Sequence, residues 1–406
     1  YAAHYLTPFL ASLERLRIGV KVYYADQMYK SGMMVPQIVQ ALKGRDAIAR
    51  ILHDCTGRKV EPEWSPFNPI CQSCGRMTET AVRGFSEKAE TVDYTCACGG
   101  RGTVSMKGGG KLTWRVDWPA RWARIPVTIE PFGKDHATRG GSYDTGALIC
   151  REVFKSPPPF PVTYEWISFK GMGDMKKSKG NVLSVHRMLE VLPPEVLRYL
   201  VVKTRPMRSI GFDPGLPLLS LVDEFDDAAS QSRDPRALQL AGADQFEPLG
   251  VPFRHLVNVV QMADFDLDQV VVILRRNNYP AENPAAVKER AGYAIRWLRE
   301  FAPEEVRFAV QRSLPEAARS LDPLQRTFLT RLAASLRPGM SGEEIHALIY
   351  DRAKESGMEK TTAAFEAIYR AILGQTKGPR AGWFLAFLEH DFVVSRLREA
   401  GRAAAA

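Results

Sequence analysis

No run in this chain approaches 18 apolar residues, so it offers no candidate for a helical membrane span. The opening stretch, Tyr1-Ala-Ala-His4-Tyr5-Leu6-Thr7-Pro8, has neither a charged segment nor a long apolar one, and does not read as a secretory signal. It also lacks an initiator Met, which leads to the expectation that the chain begins inside a larger coding sequence. Cysteine is sparse: there are six in 406 residues, four of them in two tight pairs. That usage fits metal binding in a reducing, cytoplasmic setting better than a disulfide framework. No short internal repeat is present.

What is present is ordinary for a globular protein, with 45% hydrophobic and 25% charged residues. The length allows two or three domains, each with a core. A net charge of +9 has the sign expected of a polyanion binder, a weak pointer by itself.

Residues 1–60 alternate helical and strand-like patterns. Leu10 to Leu16 has a helical apolar face, Gly19 to Tyr24 reads as a strand, and Val35 to Leu52 as one long amphipathic helix. From Glu61 to Gly110 the texture changes to prolines, cysteine pairs and a glycine triplet, as in a small inserted module. Strand-like runs return at Leu112–Val116, Val127–Ile129 and Val162–Ile167, with Pro157-Pro158-Pro159 as an extended surface loop. Pro193-Pro194 opens a helix through Leu200. Beyond about residue 216 the period is nearly all helical, for instance Ala285–Phe301, Leu324–Leu336, Gly342–Ser356 and Thr361–Leu373. The polar stretch around 223–250 reads as a linker.

Cys71-Gln-Ser-Cys74 and Cys96-Ala-Cys98 are separated by 21 residues, and each pair is followed by glycine. Four thiolates so clipped suit tetrahedral zinc at Zn–S distances of about 2.3 Å. A closed four-cysteine site has no open position, so its role is structural. Cys55 and Cys150 lack such partners and read as core residues.

Trp114-Arg-Val-Asp117-Trp118-Pro-Ala-Arg121-Trp122 packs three indoles and an acid into nine residues. The rings either bury themselves against a core or, with the carboxylate, line a pocket for a cation. Gly133-Lys-Asp135-His136 follows a strand-like run, as at the C-terminal edge of a parallel sheet where a carboxylate takes ribose hydroxyls. Gly140-Gly141 permits a close helix N-terminus. Asp174-Met-Lys176-Lys177-Ser178-Lys179-Gly180-Asn181 concentrates point charges in a loop able to fold over a triphosphate, although any lysine-rich octamer also serves as a solvated loop.

In that order these motifs, with Tyr164-Glu-Trp-Ile167 and Glu195-Val-Leu-Arg-Tyr-Leu200, resemble class I lysyl-tRNA synthetase. The last segment, Ala367–Gly374 and Gly378–Gly382, is similar to the family's terminal helices. The resemblance implies an α/β Rossmann-type catalytic domain, a small zinc-binding insertion and an all-α anticodon-binding domain. The corresponding bounds are 1–60 with 111–180, 61–110, a stem-contact region at 181–225, and 226–406. It implies lysine, ATP, Mg2+ and tRNA(Lys) as substrates, cofactor and partner.

Residue by residue, the resemblance makes Lys177 the lysine that stabilises the α-phosphate, with Lys179 helping and Ser178 hydrogen bonding. Gly133 and Asp135 fall where adenosine ribose is held, and Trp114, His136 and Tyr164 on the lysine pocket. His136 meets either the substrate carboxylate or a phosphate. Cys71, Cys74, Cys96 and Cys98 match the metal-binding insertion, and His4 is a candidate remnant of a second metal site. Tyr369, Arg370, Arg380 and Trp383 are of the right type to read anticodon bases, Trp383 also reading as core. The lysine loop departs from the family pattern at Asp174 and Lys176. None of the seven histidines stands in an HxGH or HxGN pattern, so the family's HIGH turn is expected to be missing, and the activity of this chain alone to be absent or very low. Two rivals follow: a non-catalytic tRNA-binding relative, and a zinc-ribbon nucleic-acid binder.

Overall fold

The computed structural model describes residues 2–57, 59–169, 173–174, 183–243 and 246–403. Lys177, Ser178 and Lys179 lie outside the described residues. The chain divides into two units. Residues 1–18, which include helix α1 (Ala2–Arg15), join 168–204 and 211–406 in one unit; 19–167 and 205–210 form the other. Among the described residues no helix is long and apolar enough to cross a membrane.

The unit spanning 19–167 starts with residues 19–24 in no regular secondary structure, where the alternation of Gly19–Tyr24 predicts a strand. Val20, Val22, Tyr23 and Tyr24 stay exposed there, since no described strand pairs with them. Helix α2 (Ala25–Lys30) follows, then α3 (Val35–Lys43) and α4 (Arg45–Thr56). The single helix expected over Val35–Leu52 is thus broken at Gly44.

The cysteine segment leaves and returns at one place, because β1 (Phe67–Pro69) pairs antiparallel with β5 (Gly110–Leu112). Between them β2 (Thr80–Ser86), β3 (Thr91–Cys96) and β4 (Arg101–Ser105) form an antiparallel meander with a bulge between Val82 and Gly84. Its inward residues Cys71, Val92, Tyr94 and Val104 share one core with Met34, Ile38, Ile48 and Val116. The hydrophobic core therefore runs across residues 60 and 110 without a break.

Helix α5 (Trp114–Arg124) comes next, where Leu112–Val116 had read as a strand. The strand ends at Leu112, Thr113 turns the chain, and the Val116 and Asp117 amides donate to the Thr113 carbonyl at 2.9 and 2.7 Å. Strand β6 (Ile129–Gly133), helix α6 (Ser142–Glu152) and strand β7 (Phe160–Tyr164) then make a βαβ unit, with β6 and β7 parallel and Gly133 opposite Tyr164. Trp118, Trp122, Phe132 and Cys150 form a small second core in this unit. Burying a ring the size of Trp122 contributes about 3 kcal/mol.

Strand β8 (Ile167–Phe169), which begins at the last residue of the 19–167 segment, pairs antiparallel with β9 (Gly173–Asp174). In the other unit helices follow: α7 (Val185–Val191), α8 (Pro194–Val202), α9 (Leu216–Ser230), α10 (Pro235–Ala241), α11 (Phe253–Met262), α12 (Leu267–Arg276), α13 (Pro284–Glu300), α14 (Pro323–Ser335), α15 (Gly342–Glu355), α16 (Thr361–Ile372), α17 (Ala381–Phe387) and α18 (His390–Arg402). Their starts follow from local chemistry. Asp234, Asn283 and Asp322 cap α10, α13 and α14 just before a proline, and Asp322 and Ser341 complete capping boxes with Gln325 and Glu344. The stretch 223–250 is mostly not a linker: Phe225, Ala228, Ala237 and Leu238 are buried in the core of α8, α11 and α13. Of its acids on α9, Glu224 and Asp227 are exposed, whereas Asp226 pairs with buried Arg290 and Asp223 accepts from the Phe253 amide at 2.5 Å. A second cluster in this unit gathers α14, α15, α16 and α18 around Phe328, Leu332, Ile349 and Ile368.

Candidate active site

The two parallel strands end side by side, and the chain leaves β6 through a 3-10 turn, Lys134–His136. A Cβ on Gly133 would lie 2.8 Å from Asp135 Oδ1, so only glycine lets that carboxylate fold back over the strand end. The chain then turns through Gly140, at φ 72°, whose amide donates to Asp144 Oδ2 at 2.9 Å, and enters α6 after Gly141. A carboxylate, an imidazole and a helix N-terminus are thereby placed together at the C-terminal edge of a parallel sheet. Ligands are bound at such edges in open α/β folds.

Trp114, Trp118 and Trp122 lie four residues apart on one face of α5 and form a ladder. Trp114 and Trp118 are stacked with centroids 5.5 Å apart and planes at 12°, and Trp118 meets Trp122 at 4.7 Å. Burial grades along it: Trp114 is 51% exposed, Trp118 7% and Trp122 1%. The inner two members of the ladder lie in the core and the outer one faces solvent. The Trp118 indole N–H donates to Glu130 Oε1 of β6 at 3.0 Å, which fixes the ladder to the strand. His136 sits 5.6 Å from Trp118 and 6.3 Å from Trp114, ring centre to ring centre. Tyr164, across from Gly133 at the end of β7, is also exposed, at 47%. Trp114, His136, Gly133, Asp135 and Tyr164 are therefore gathered around one strand edge.

Asp117 does not line this site as a free carboxylate. It is buried, accepts from the Tyr29 hydroxyl at 2.6 Å, and faces Arg121 Nε at 3.2 Å and Lys111 Nζ at 3.9 Å. Burial, then the Asp117 charge, push the Tyr29 hydroxyl far above its ordinary pKa, so it stays a donor. Its oxygen also accepts from the Leu112 amide at 3.1 Å. Another pair that sequence pattern does not reveal is Lys134 with Glu165, at 2.8 Å across the two strand ends. The helical spacing of the three tryptophans was the signal available for the ladder.

The four paired cysteines also converge. Their sulfurs lie within 4.8 Å of one another, with Cys71–Cys98 at 3.7 Å and Cys74–Cys96 at 3.8 Å, and all are free thiols. A tetrahedron with Zn–S bonds of about 2.3 Å has S–S edges of about 3.8 Å, so the set fits such an ion. The Cys74 amide, then that of Ser73, draw the Cys71 thiol down to about 6, while burial and the neighbouring sulfurs push that of Cys96 up to about 12 and raise that of Cys74. His4 belongs to no comparable group among the described residues.

In the helical unit, Tyr369 is buried with its hydroxyl donating to the Pro379 carbonyl at 2.5 Å, and Arg370 is tied to Glu366 and Ser320. Both side chains are thus engaged within the fold. Arg380 remains exposed and stacks on half-buried Trp383 at 3.7 Å.

The family profile described as tRNA synthetases class I (K) matches residues 1–245. The chain belongs to this family. Its relatives include the lysine–tRNA ligase of Methanosarcina barkeri, 48% identical over 98% of this chain and 79% of the relative. That of Archaeoglobus fulgidus is 47% identical, covering 98% of this chain and 80% of its own length. That of Methanocaldococcus jannaschii is 36% identical over the same shares, 98% and 80%. Membership brings the class I synthetase fold, with its mixed α/β and helical content, and ligase activity. The resemblance carried by the tryptophan run and the lysine loop is thus borne out at the level of the family.

Proposed function

We propose that this chain is a ligase that activates lysine with ATP and transfers it to tRNA(Lys). The observation that carries the reading is the exposed aromatic wall of Trp114, His136 and Tyr164 at the C-terminal edge of two parallel strands. Ring faces attract an ammonium group by about 0.5–2 kcal/mol each while accepting the aliphatic stem of lysine. Gly133 and Asp135, on the adjoining turn, hold the adenosine ribose, and the first amides of α6 lie beside them for phosphate.

A lysine carboxylate oxygen attacks the α-phosphorus of ATP, the bond to the β-phosphate breaks, and pyrophosphate leaves. Lys177, aided by Lys179 and Ser178, neutralises the charge that grows on the α-phosphoryl oxygens. His136 orients either the substrate carboxylate or a phosphate. A terminal ribose hydroxyl of the tRNA then takes the lysyl group, releasing AMP. ATP is taken with Mg2+, which neutralises phosphate charge. Cys71, Cys74, Cys96 and Cys98 would hold a structural Zn2+ that ties the cysteine segment to the rest of its core. The region 226–406 reads the anticodon, with exposed Arg380 on Trp383 as its stacking surface, and 181–225 meets the tRNA stem. The setting is cytoplasmic, where free cysteine pairs persist for a metal.

Lysine-dependent ATP–pyrophosphate exchange by the full-length protein tests this. Exchange that falls by about 10²-fold or more in Lys177→Ala supports the ligase. Tight tRNA binding with no exchange points instead to a non-catalytic tRNA-binding relative.

A further inference from the structure

Trp114 is poorly held by its own packing. Its ring is half exposed, stacking on Trp118 and approaching His136, so its place depends on the backbone turn at Thr113. That turn is clamped from both sides by one atom. The Tyr29 hydroxyl oxygen accepts from the Leu112 amide at 3.1 Å, before the turn, and its proton goes to Asp117 Oδ1 at 2.6 Å, after it. Tyr29 is buried and comes from a separate helix, α2. Asp117 is held in turn by Arg121 and Lys111, so its charge is balanced inside the protein and none of it is offered to a ligand.

We propose that Tyr29 and Asp117 are positioning residues for the lysine pocket: the hydroxyl bridge between Leu112 and Asp117 fixes the turn that presents Trp114. The proposal rests on the assignment of Trp114 to lysine under the function above. It sets apart two sorts of buried hydroxyl. Tyr94, in the same unit, is as buried as Tyr29 and accepts from the Gln72 amide at 2.8 Å, but in the cysteine segment. Removing either hydroxyl leaves an amide without its partner, buried Leu112 in one case and Gln72 in the other, and lowers stability. Only the Tyr29 hydroxyl spans the turn before Trp114.

The test compares Tyr29→Phe, Tyr94→Phe, Asp117→Asn and Trp114→Ala in the full-length protein, reading Tm, kcat and the KM for lysine and for ATP in pyrophosphate exchange. Tyr29→Phe is expected to raise the lysine KM about fivefold, with kcat and the ATP KM changed less than about twofold. Tyr94→Phe is expected to lower Tm comparably and leave the lysine KM unchanged. Asp117→Asn takes away the charge that Arg121 and Lys111 balance and loosens the same turn, so it is expected to raise the lysine KM in the same direction as Tyr29→Phe. A Tyr29→Phe protein that loses Tm like Tyr94→Phe but keeps its lysine KM, while Trp114→Ala raises it, would overturn the proposal alone. A lysine KM unmoved in Trp114→Ala would overturn the pocket assignment, and the proposal with it.

Discussion

The Lys134 ammonium donates to Glu165 Oε1 at 2.8 Å, joining the turn that leaves β6 to the end of β7. On one side of that bond lie Asp135 and His136, on the other Tyr164. The hydrogen bond from Lys134 holds the Glu165 carboxyl below its usual range. A depressed carboxylate stabilises the fold above its unfolded pKa, and that contribution disappears as pH falls through the folded value. Lys134 is exposed and Glu165 half-buried, so the effect of the pair on Tm is expected to be modest. Its effect on the site is expected to be larger, because it ties the turn that carries Asp135 and His136 to the strand end that carries Tyr164, the residues proposed for ribose and lysine. Glu165→Gln and Lys134→Met are each expected to raise the KM for both lysine and ATP about two- to fivefold at neutral pH. Exchange kinetics check this, and a rise confined to one substrate would contradict it.

The cysteine cluster shares its core with α3 and α5 through Cys71, Cys96, Met34, Ile38 and Val116. Metal removal should therefore loosen the whole unit that carries the tryptophan ladder. Native mass spectrometry is expected to find one zinc per chain. Chelation, or Cys74→Ser, is expected to lower Tm by about 5 °C or more and quench exchange with it. A protein that holds no metal yet keeps its Tm in chelator would contradict this.

Asp226 is held by Arg290, itself buried, and burial outweighs that attraction, raising the carboxyl to about 6. The folded state thus binds more protons than the unfolded one between about pH 4 and 6. This group's contribution to stability is largest below that window and falls as pH rises through it, by at most roughly 3 kcal/mol. In urea unfolding, the deficit of Asp226→Asn relative to the unchanged protein should be larger at pH 4.5 than at pH 7. An equal deficit at both would show that Asp226 ionises as easily folded as unfolded.

Arg380 stacks over Trp383 on the exposed side of α17, whereas Tyr369 and Arg370 are occupied within the fold. Arg380→Ala is expected to weaken tRNA(Lys) binding about five- to tenfold and leave the lysine KM unchanged. Filter binding against exchange kinetics separates the two effects.

Much of this was legible in residue order because the chemistry is local. Paired cysteines with following glycines announce their own convergence, and the capped helices from Pro284 onward declare their starts. The strand-end glycine and acid at Gly133 and Asp135 were legible for the same reason. The failures lie where tertiary partners decide. Gly19–Tyr24 alternates like a strand but finds none to pair with among the described residues. The polar stretch from Asp223 looked like a linker because its acids outnumber the buried Val222, Phe225 and Ala228 that make it a helix. Leu112–Val116 looked continuous, yet the Thr113 turn splits it. Asp117 seemed free for a ligand because its partner Tyr29 lies 88 residues away.

The central claim is that Trp114, with His136 and Tyr164, recognises the lysine side chain through its ammonium. The most direct measurement is the ratio of kcat/KM for lysine over norleucine, its uncharged counterpart, in pyrophosphate exchange by the full-length protein and by Trp114→Ala. The account predicts strong discrimination for lysine that falls by about tenfold in the variant, chiefly through the lysine KM. Unchanged discrimination in Trp114→Ala would contradict it, and would place recognition of the ammonium elsewhere.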